Sequence, residues 1–285
     1  MLVDLNISTY SGRRKDSATQ DEVTRAKGAG SRKASSVYKS LFAGSVELEA
    51  ITKFQAKVRQ DHYRLTLPWS DNGQRLLPTQ ALGEYQNRMN EHETVFHDLV
   101  KVFLDKYDTL VAAAAFQLGT LFDRREYLTR ERVESSFSMS TSFTPLPIAG
   151  DFRLDVESEV QDELIAQYED RMKSMLERAH SDAWQRLYSV LKHMSDRLSV
   201  DGEGKKNKFH DTLVGNAEEL CGLLKAFNVM NDPKLETARA QLENAMVGVS
   251  PEALRVEDDT RAVMKRTVDA ILKSNDWGIS DDEQD

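Results

Sequence analysis

Two long apolar stripes at helical spacing constrain this chain more than any other feature. The first runs through Tyr85, Met89, His92, Phe96, Leu99, Phe103, Tyr107, Leu110, Ala114, Leu118 and Leu121. The second runs through Val160, Leu164, Tyr168, Met172, Met175, Ala179, Ala183, Leu187, Val190, Met194 and Leu198. Every step is three or four residues, the repeat of one face of an α-helix. Neither run contains proline, and Gly119 is the only glycine in them. A helix of roughly 40 residues extends roughly 60 Å at 1.5 Å per residue, too long for an ordinary compact bundle. The expected fold class is therefore mainly α. It comprises a long antiparallel helical hairpin of coiled-coil type, a small antiparallel β element and a C-terminal helical bundle.

Local signals fill in the rest. Residues 2–8 alternate partly, with Val3, Leu5 and Ile7 on one face, and predict a strand. Residues 11–36 are polar and rich in glycine, serine and base. They predict a loop with a short helix near 20–26. Ser45 is placed to cap a helix from Val46 to about Asp61. Tyr63, Leu65, Leu67 and Trp69 alternate as a strand would, and Asn72-Gly73 is a hairpin turn pair that lets residues 74–77 return. One long helix is expected over about 79–122, a short one behind Thr129, strands at 138–144 and 150–156, and a second long helix over about 157–199. Helices follow at 209–230, 233–247 and 251–275, the last two opened by Asp232-Pro233 and Ser250-Pro251. The expected organisation is an N-terminal part (1–78), a helical hairpin with a β-rich insert (79–200, insert 123–156), C-terminal helices (201–275) and an acidic tail (276–285).

The charge is unevenly placed. The chain has 285 residues and a formal net charge of −9. Residues 1–64 carry twelve Lys/Arg against seven Asp/Glu, a net of +5, which leaves −14 on the remainder. No apolar run approaches the roughly 18–20 residues that span a bilayer, and the opening lacks the basic and apolar regions of a signal peptide. Cys221 is the single cysteine, so no intramolecular disulfide can form. A cytosolic protein without membrane attachment is expected.

Catalytic patterns approach their required spacing and miss it. His92-Glu93 and His97 resemble a zinc-protease helix, but histidines at i and i+5 lie about 140° apart on a helix and cannot share a metal. His62, His180, His193 and His210 have no ligand spacing either. Ser36-Val37-Tyr38-Lys39 and Ser70-Asp71-Asn72 match two parts of a serine-lysine acylase signature whose third part is missing. The glycine-rich stretches at 28–31 and 202–206 lack phosphate-loop spacing. Cys221 sits among apolar neighbours and is expected in the core rather than as a nucleophile. These patterns name no catalytic, cofactor or metal residues, and the chain is expected not to be an enzyme.

The basic arm is the candidate functional surface. Arg13, Arg14, Lys15, Arg32 and Lys33 can pair with phosphates in any order, with Tyr10 and Tyr38 flanking them as stacking partners. The acidic tail would then compete for the same cations. The opposing reading is a solvated loop whose charge only keeps it extended.

The opening segment, Leu2-Val3-Asp4-Leu5-Asn6-Ile7-Ser8-Thr9-Tyr10-Ser11-Gly12-Arg13-Arg14-Lys15, is similar to an uncharacterised phage and prophage protein family. Members begin with a strand ending in an Asn-Ile-Ser element, followed by an aromatic residue, a small residue, glycine and a basic cluster. Residues 137–143, Gly150-Asp151-Phe152-Arg153 and residues 209–242 also resemble it. Such genes often neighbour a MoxR-type AAA ATPase and a von Willebrand A-type protein. The resemblance implies an accessory role beside an ATP-driven remodelling machine and supplies no catalytic residues. The leading expectation is a non-enzymatic phage accessory protein in the host cytosol. It would act through protein contacts, as a homo-oligomer or as an adaptor to an AAA ATPase or another phage or host protein. The alternative is a DNA- or RNA-binding protein that uses the basic arm.

Overall fold

A computed structural model describes residues 1–146, 158–200, 202, 205–275 and 277; the side chains of Arg32 and of residues 158–161 lie outside the description. The strand expected at 150–156, Val160 of the second stripe and the acidic residues 278–285 fall outside the described residues. The protein is mainly α-helical with a small antiparallel sheet. Its described residues divide into two compact units. The first contains residues 1–4, 63–84 and 143–285, and the second contains residues 5–62 and 85–142.

The first unit gathers around the second stripe. Strand β1 (Leu2–Ser8) starts here, and its Leu2 and Val3 pair antiparallel with Leu76 and Arg75. The short strands β4 (Leu67–Pro68) and β5 (Arg75–Leu76) form the hairpin that Asn72-Gly73 announces. Gly73 takes a φ of +99°, a value that side chains beyond glycine resist. Helix α6 (Ser158–Leu198) carries the stripe. Met175, Ala179, Ala183, Leu187, Met194 and Leu198 are buried, while Met172 is half-buried. Its partners are α7 (Thr212–Phe227) and α10 (Asp258–Ser274), with α8 (Pro233–Met246) against both of those. Asp232 and Ser250 cap α8 and α9 (Pro251–Val256), accepting from the amides of Lys234 and Ala253. The expected helix over 251–275 is broken at Glu257, whose backbone is extended. Arg261, buried just after that break, explains the division. Its guanidinium donates to the carbonyls of Arg197, Leu198, Ser199, Asn207 and Leu254 at 2.8–3.3 Å, satisfying the open C-terminal end of α6.

The second unit is built on α2 (Val46–Arg64), α3 (Leu82–Asp105) and α4 (Tyr107–Leu118). Ser45 caps α2 as its sequence suggests. The alternation over 63–69 does not produce one strand: α2 continues through Arg64, and Leu65, Thr66 and Leu67 are buried in succession. His92 of α3 bonds Asp61 of α2 at 2.8 Å, and Tyr85 bonds His62 at 2.8 Å, so polar atoms buried between the two helices are satisfied. Phe42 sits in a cage of Tyr10, Phe103, Tyr107 and Tyr127 at centroid distances of 5.4–6.1 Å. Aromatic pairs at such separations favour these edge-on and tilted geometries. The Tyr107 and Tyr127 hydroxyls donate to Leu128 and Leu41 carbonyls at 2.7 and 2.8 Å. Burial pushes both phenols up to about 12. Behind Thr129 comes α5 (Arg130–Glu134), and β6 (Ser138–Thr144) joins the sheet in the order β4-β5-β1-β6.

One expectation is corrected here. The single helix over 79–122 is divided at Lys106, a turn residue between α3 and α4 whose backbone stays in the right-handed helical region and whose ammonium reaches Glu47 at 2.8 Å. The second stripe lies on α6 of the first unit, against α7 and α10, and the first stripe lies on α3 and α4 of the second unit.

Candidate functional site

The basic arm is not the featureless loop its composition suggests. Strand β2 (Arg13–Lys15) pairs antiparallel with β3 (Tyr38–Ser40) as a two-stranded ribbon. Between the strands lie α1 (Ser17–Ala26) and a 3-10 turn over Arg32–Ala34. Asp16 caps α1, accepting from the Thr19 amide at 3.0 Å, and that bond is the main cause holding its carboxyl below the usual range. Gly12 closes the ribbon at a φ of +60°; a Cβ there would stand 2.9 Å from Leu48 and 3.2 Å from Phe42. A side chain at that position would be strained by the positive φ and would force the Leu48 side chain to shift.

Register decides which cations are available. Directly opposed residues of an antiparallel pair share a face. Arg13 opposes Ser40, Arg14 opposes Lys39 and Lys15 opposes Tyr38. Lys39 turns inward and is consumed by the Leu121 carbonyl at 2.6 Å and the Glu126 carboxylate at 2.7 Å. The other face presents Arg13 and Lys15, with Tyr38 directly opposite Lys15 and diagonal to Arg13. Tyr38 is 55% exposed, and the Arg13 guanidinium lies 5.7 Å from its ring centroid. Arg14 is exposed on the Lys39 side, near the Tyr10 hydroxyl, and Lys33 is exposed on the 3-10 turn. Tyr10 is packed edge-on against Phe42 and is not a stacking surface. The structure therefore brings together Arg13, Lys15 and Tyr38, and leaves Arg14 and Lys33 on other surfaces of the same region.

A second surface lies outside the two stripes. Helix α4 buries Tyr107, Val111 and Ala114, yet its opposite side is also apolar. Thr109, Ala112, Ala113, Phe116 and Thr120 are all exposed, and Phe116 is 91% exposed, the highest value of any large apolar side chain described. Phe116 lies two residues from Ala114, about 200° round the helix, so a one-face pattern passes over it. The signal that could have found it is the run 109–122, fourteen residues without a charge. A helix apolar all round is ordinarily covered all round. Small Ala112 and Ala113 beside a projecting aromatic make a flat surface with a knob, a shape suited to close helix packing. Asp108 in the first turn and Arg124 just beyond the far end have no ion-pair partner among the described residues.

The near-match to a zinc helix and the single cysteine are explained by packing. His92 is buried against Asp61, whereas His97 projects outward beside Glu93, so the near-match to a zinc helix points two ways. No group of three metal-ligating side chains occurs among the described residues, and none of their helices is long and apolar enough to cross a membrane. Cys221 is fully buried, and burial pushes its thiol up to about 11. Comparison of the chain with protein-family models, curated proteins and solved structures finds no match.

Proposed function

We propose that this is a non-enzymatic accessory protein that works by binding protein, in the first place a second copy of itself, through the outer face of α4. The observation that carries this reading is Phe116, an aromatic side chain 91% exposed on a helix face with no charge. Burying such a side chain is worth roughly 1.5–3 kcal/mol, and large aromatics of this kind are the usual energetic centres of interfaces. An antiparallel, two-fold pairing of α4 sets Phe116 against the small-residue platform of its mate. It also turns the Asp108 end of one copy toward the Arg124 end of the other. The likeness of residues 2–15 to phage and prophage proteins supports placing this work in a host cytosol beside an AAA ATPase of the MoxR type. Light scattering after size exclusion tests the self-association. The wild-type chain is expected to have twice the monomer mass and Phe116→Glu the monomer mass. A wild-type chain that stays monomeric at the highest attainable concentration overturns the reading.

A second reading is favoured by the face of Arg13, Lys15 and Tyr38, which offers a stacking ring beside two cations to a single-stranded nucleic acid. Fluorescence anisotropy with labelled single-stranded DNA should show binding that weakens steeply with salt and is lost in the Arg13→Ala, Tyr38→Ala double variant. Absence of binding at low salt eliminates it.

A further inference from the structure

The first unit contains a cavity of about 500 Å³ whose polar lining is almost wholly cationic or protonatable. His193 and Arg197 stand one turn apart on α6, Lys208 and His210 come from the segment that leads into α7, and Thr212 and Asn216 sit on the first turns of α7. No carboxylate of the described residues lines it. None of these four basic side chains has a hydrogen-bond or ion-pair partner among the described residues. The adjoining cavity provides the contrast. Apart from Lys208, which lines both, its cations are committed: Lys206 to Asp258, Arg255 to Asp211 and Glu252, and Arg261 to backbone carbonyls. Of the carboxylates adjacent to lining residues in the chain, Asp211 is drawn toward Arg255 and makes no capping bond to α7, and Asp196 pairs with Lys192 at 3.6 Å. Phe209 forms part of the cavity wall, held by Arg255 and Arg261 at 5.1 and 5.6 Å from its ring centroid. In a chain whose net charge is −9, this hollow gathers four basic groups without a partner among the described residues.

We propose that this cavity binds a phosphate-bearing anion. Arg197 and Lys208 supply the permanent charge, and the His193 and His210 imidazoles and the Thr212 hydroxyl supply further donors. An arginine fork and a lysine point charge are the usual pair for phosphate oxygens. The volume lies in the range of small-molecule sites and exceeds what a bare phosphate fills. Phe209 gives an aromatic wall against which an attached organic group can rest.

Calorimetric titration of the full chain with inorganic phosphate and, separately, with AMP tests this at constant ionic strength. Saturable binding of either is expected, weakened at least tenfold in the Arg197→Ala, Lys208→Ala double variant. Lys173→Ala, which removes one positive charge elsewhere on α6, should leave it unchanged. Equal affinity for the two ligands identifies a site for the phosphate group alone. Tenfold tighter binding of AMP identifies an organic phosphate held also by the Phe209 wall. Thermal midpoints of the unliganded variants should match wild type, since both side chains are exposed. If the double variant proves unstable, Lys208→Ala alone carries the comparison. No saturable heat with either ligand, or binding unaffected by the substitutions, overturns the proposal.

Discussion

Helices α4 and α7 are similarly apolar but differ in what they do with that character. Of the sixteen residues of α7, eight are buried: Leu213, Val214, Ala217, Leu220, Cys221, Leu223, Leu224 and Phe227. Its outside is Asn216, Glu218, Glu219 and Lys225, residues suited to water. Helix α4 buries only Tyr107, Val111 and Ala114 and turns Ala112, Ala113 and Phe116 outward. The difference shows that a helix's apolar content does not by itself report its burial. In α7 the apolar residues are spent on folding; in α4 a large part remains unspent, which is why the function is sought there.

Truncating one residue on each helix tests the contrast most strongly. Leu224 is fully buried, and Leu224→Ala should cost about 2–5 kcal/mol through lost burial and the cavity left behind. Phe116→Ala should change monomer stability by no more than about 0.5 kcal/mol, as exposed substitutions do. It should nevertheless weaken self-association by about 2 kcal/mol, roughly thirtyfold. Chemical denaturation and concentration-dependent light scattering read the two effects separately. Equal folding costs for the two variants would mean that the outer face of α4 is packed within the monomer, and the comparison would collapse.

The sequence carried the regular parts of this fold where local chemistry and tertiary structure agree. Strands β1 and β6 fall at 2–8 and 138–144, and the Asn72-Gly73 turn, α1, and the caps at Ser45, Thr129, Asp232 and Ser250 are where their residues predict them. The departures arise where distant groups decide. Lysine is a good helix former, so nothing local marks the break at Lys106, where the side chain crosses to Glu47. Strand β2 is Arg13-Arg14-Lys15, three charged residues without alternation, ordered by β3 and the Gly12 turn. Tyr63 to Trp69 shows the converse, an alternation that helix continuation overrides. Of the candidate surface, the cations were legible but not their register with Tyr38. Phe116 lies on the side of α4 opposite the stripe, where a one-face apolar pattern carries no signal.

Acid should separate the outsides of the two helices. Arg239 of α8 is buried and forks onto Glu236 at 2.6 and 2.8 Å and onto Glu243 at 2.6 Å, and Lys225 of α7 reaches Glu243 at 2.7 Å. The Arg239 bond, then the Lys225 bond, hold the Glu243 carboxyl down at about 2 from a usual 4.5. Glu236 is lowered by Arg239 as well. A carboxylate with a depressed folded value stabilises the fold fully above its unfolded pKa. That contribution is lost as pH falls through the window toward the folded value. Thermal midpoints should therefore drop between about pH 4.5 and pH 2, and less steeply in Glu243→Gln. The α4 contact has an uncharged centre and should outlast this loss. A midpoint independent of pH across the window, in wild type and variant alike, would remove the ionic latch between α7 and α8.

Thiol chemistry gives the finest measure of the same contrast. Cys221 faces inward from α7, its sulfur 3.8 Å from the Arg239 carbonyl, and burial raises its thiol to about 11. Little thiolate exists at neutral pH, and a reagent must wait for the helix to open. Native wild type should thus react with an aromatic disulfide far more slowly than the denatured chain. A cysteine placed by Ala113→Cys on the outer face of α4 should react promptly in dilute protein. It should be protected as concentration rises and the two copies meet. Fast labelling of native Cys221 would show that α7 is not closed over its core. Concentration-independent labelling at position 113 would show that the apolar face of α4 stays open, and the self-association assigned to it would fail with it.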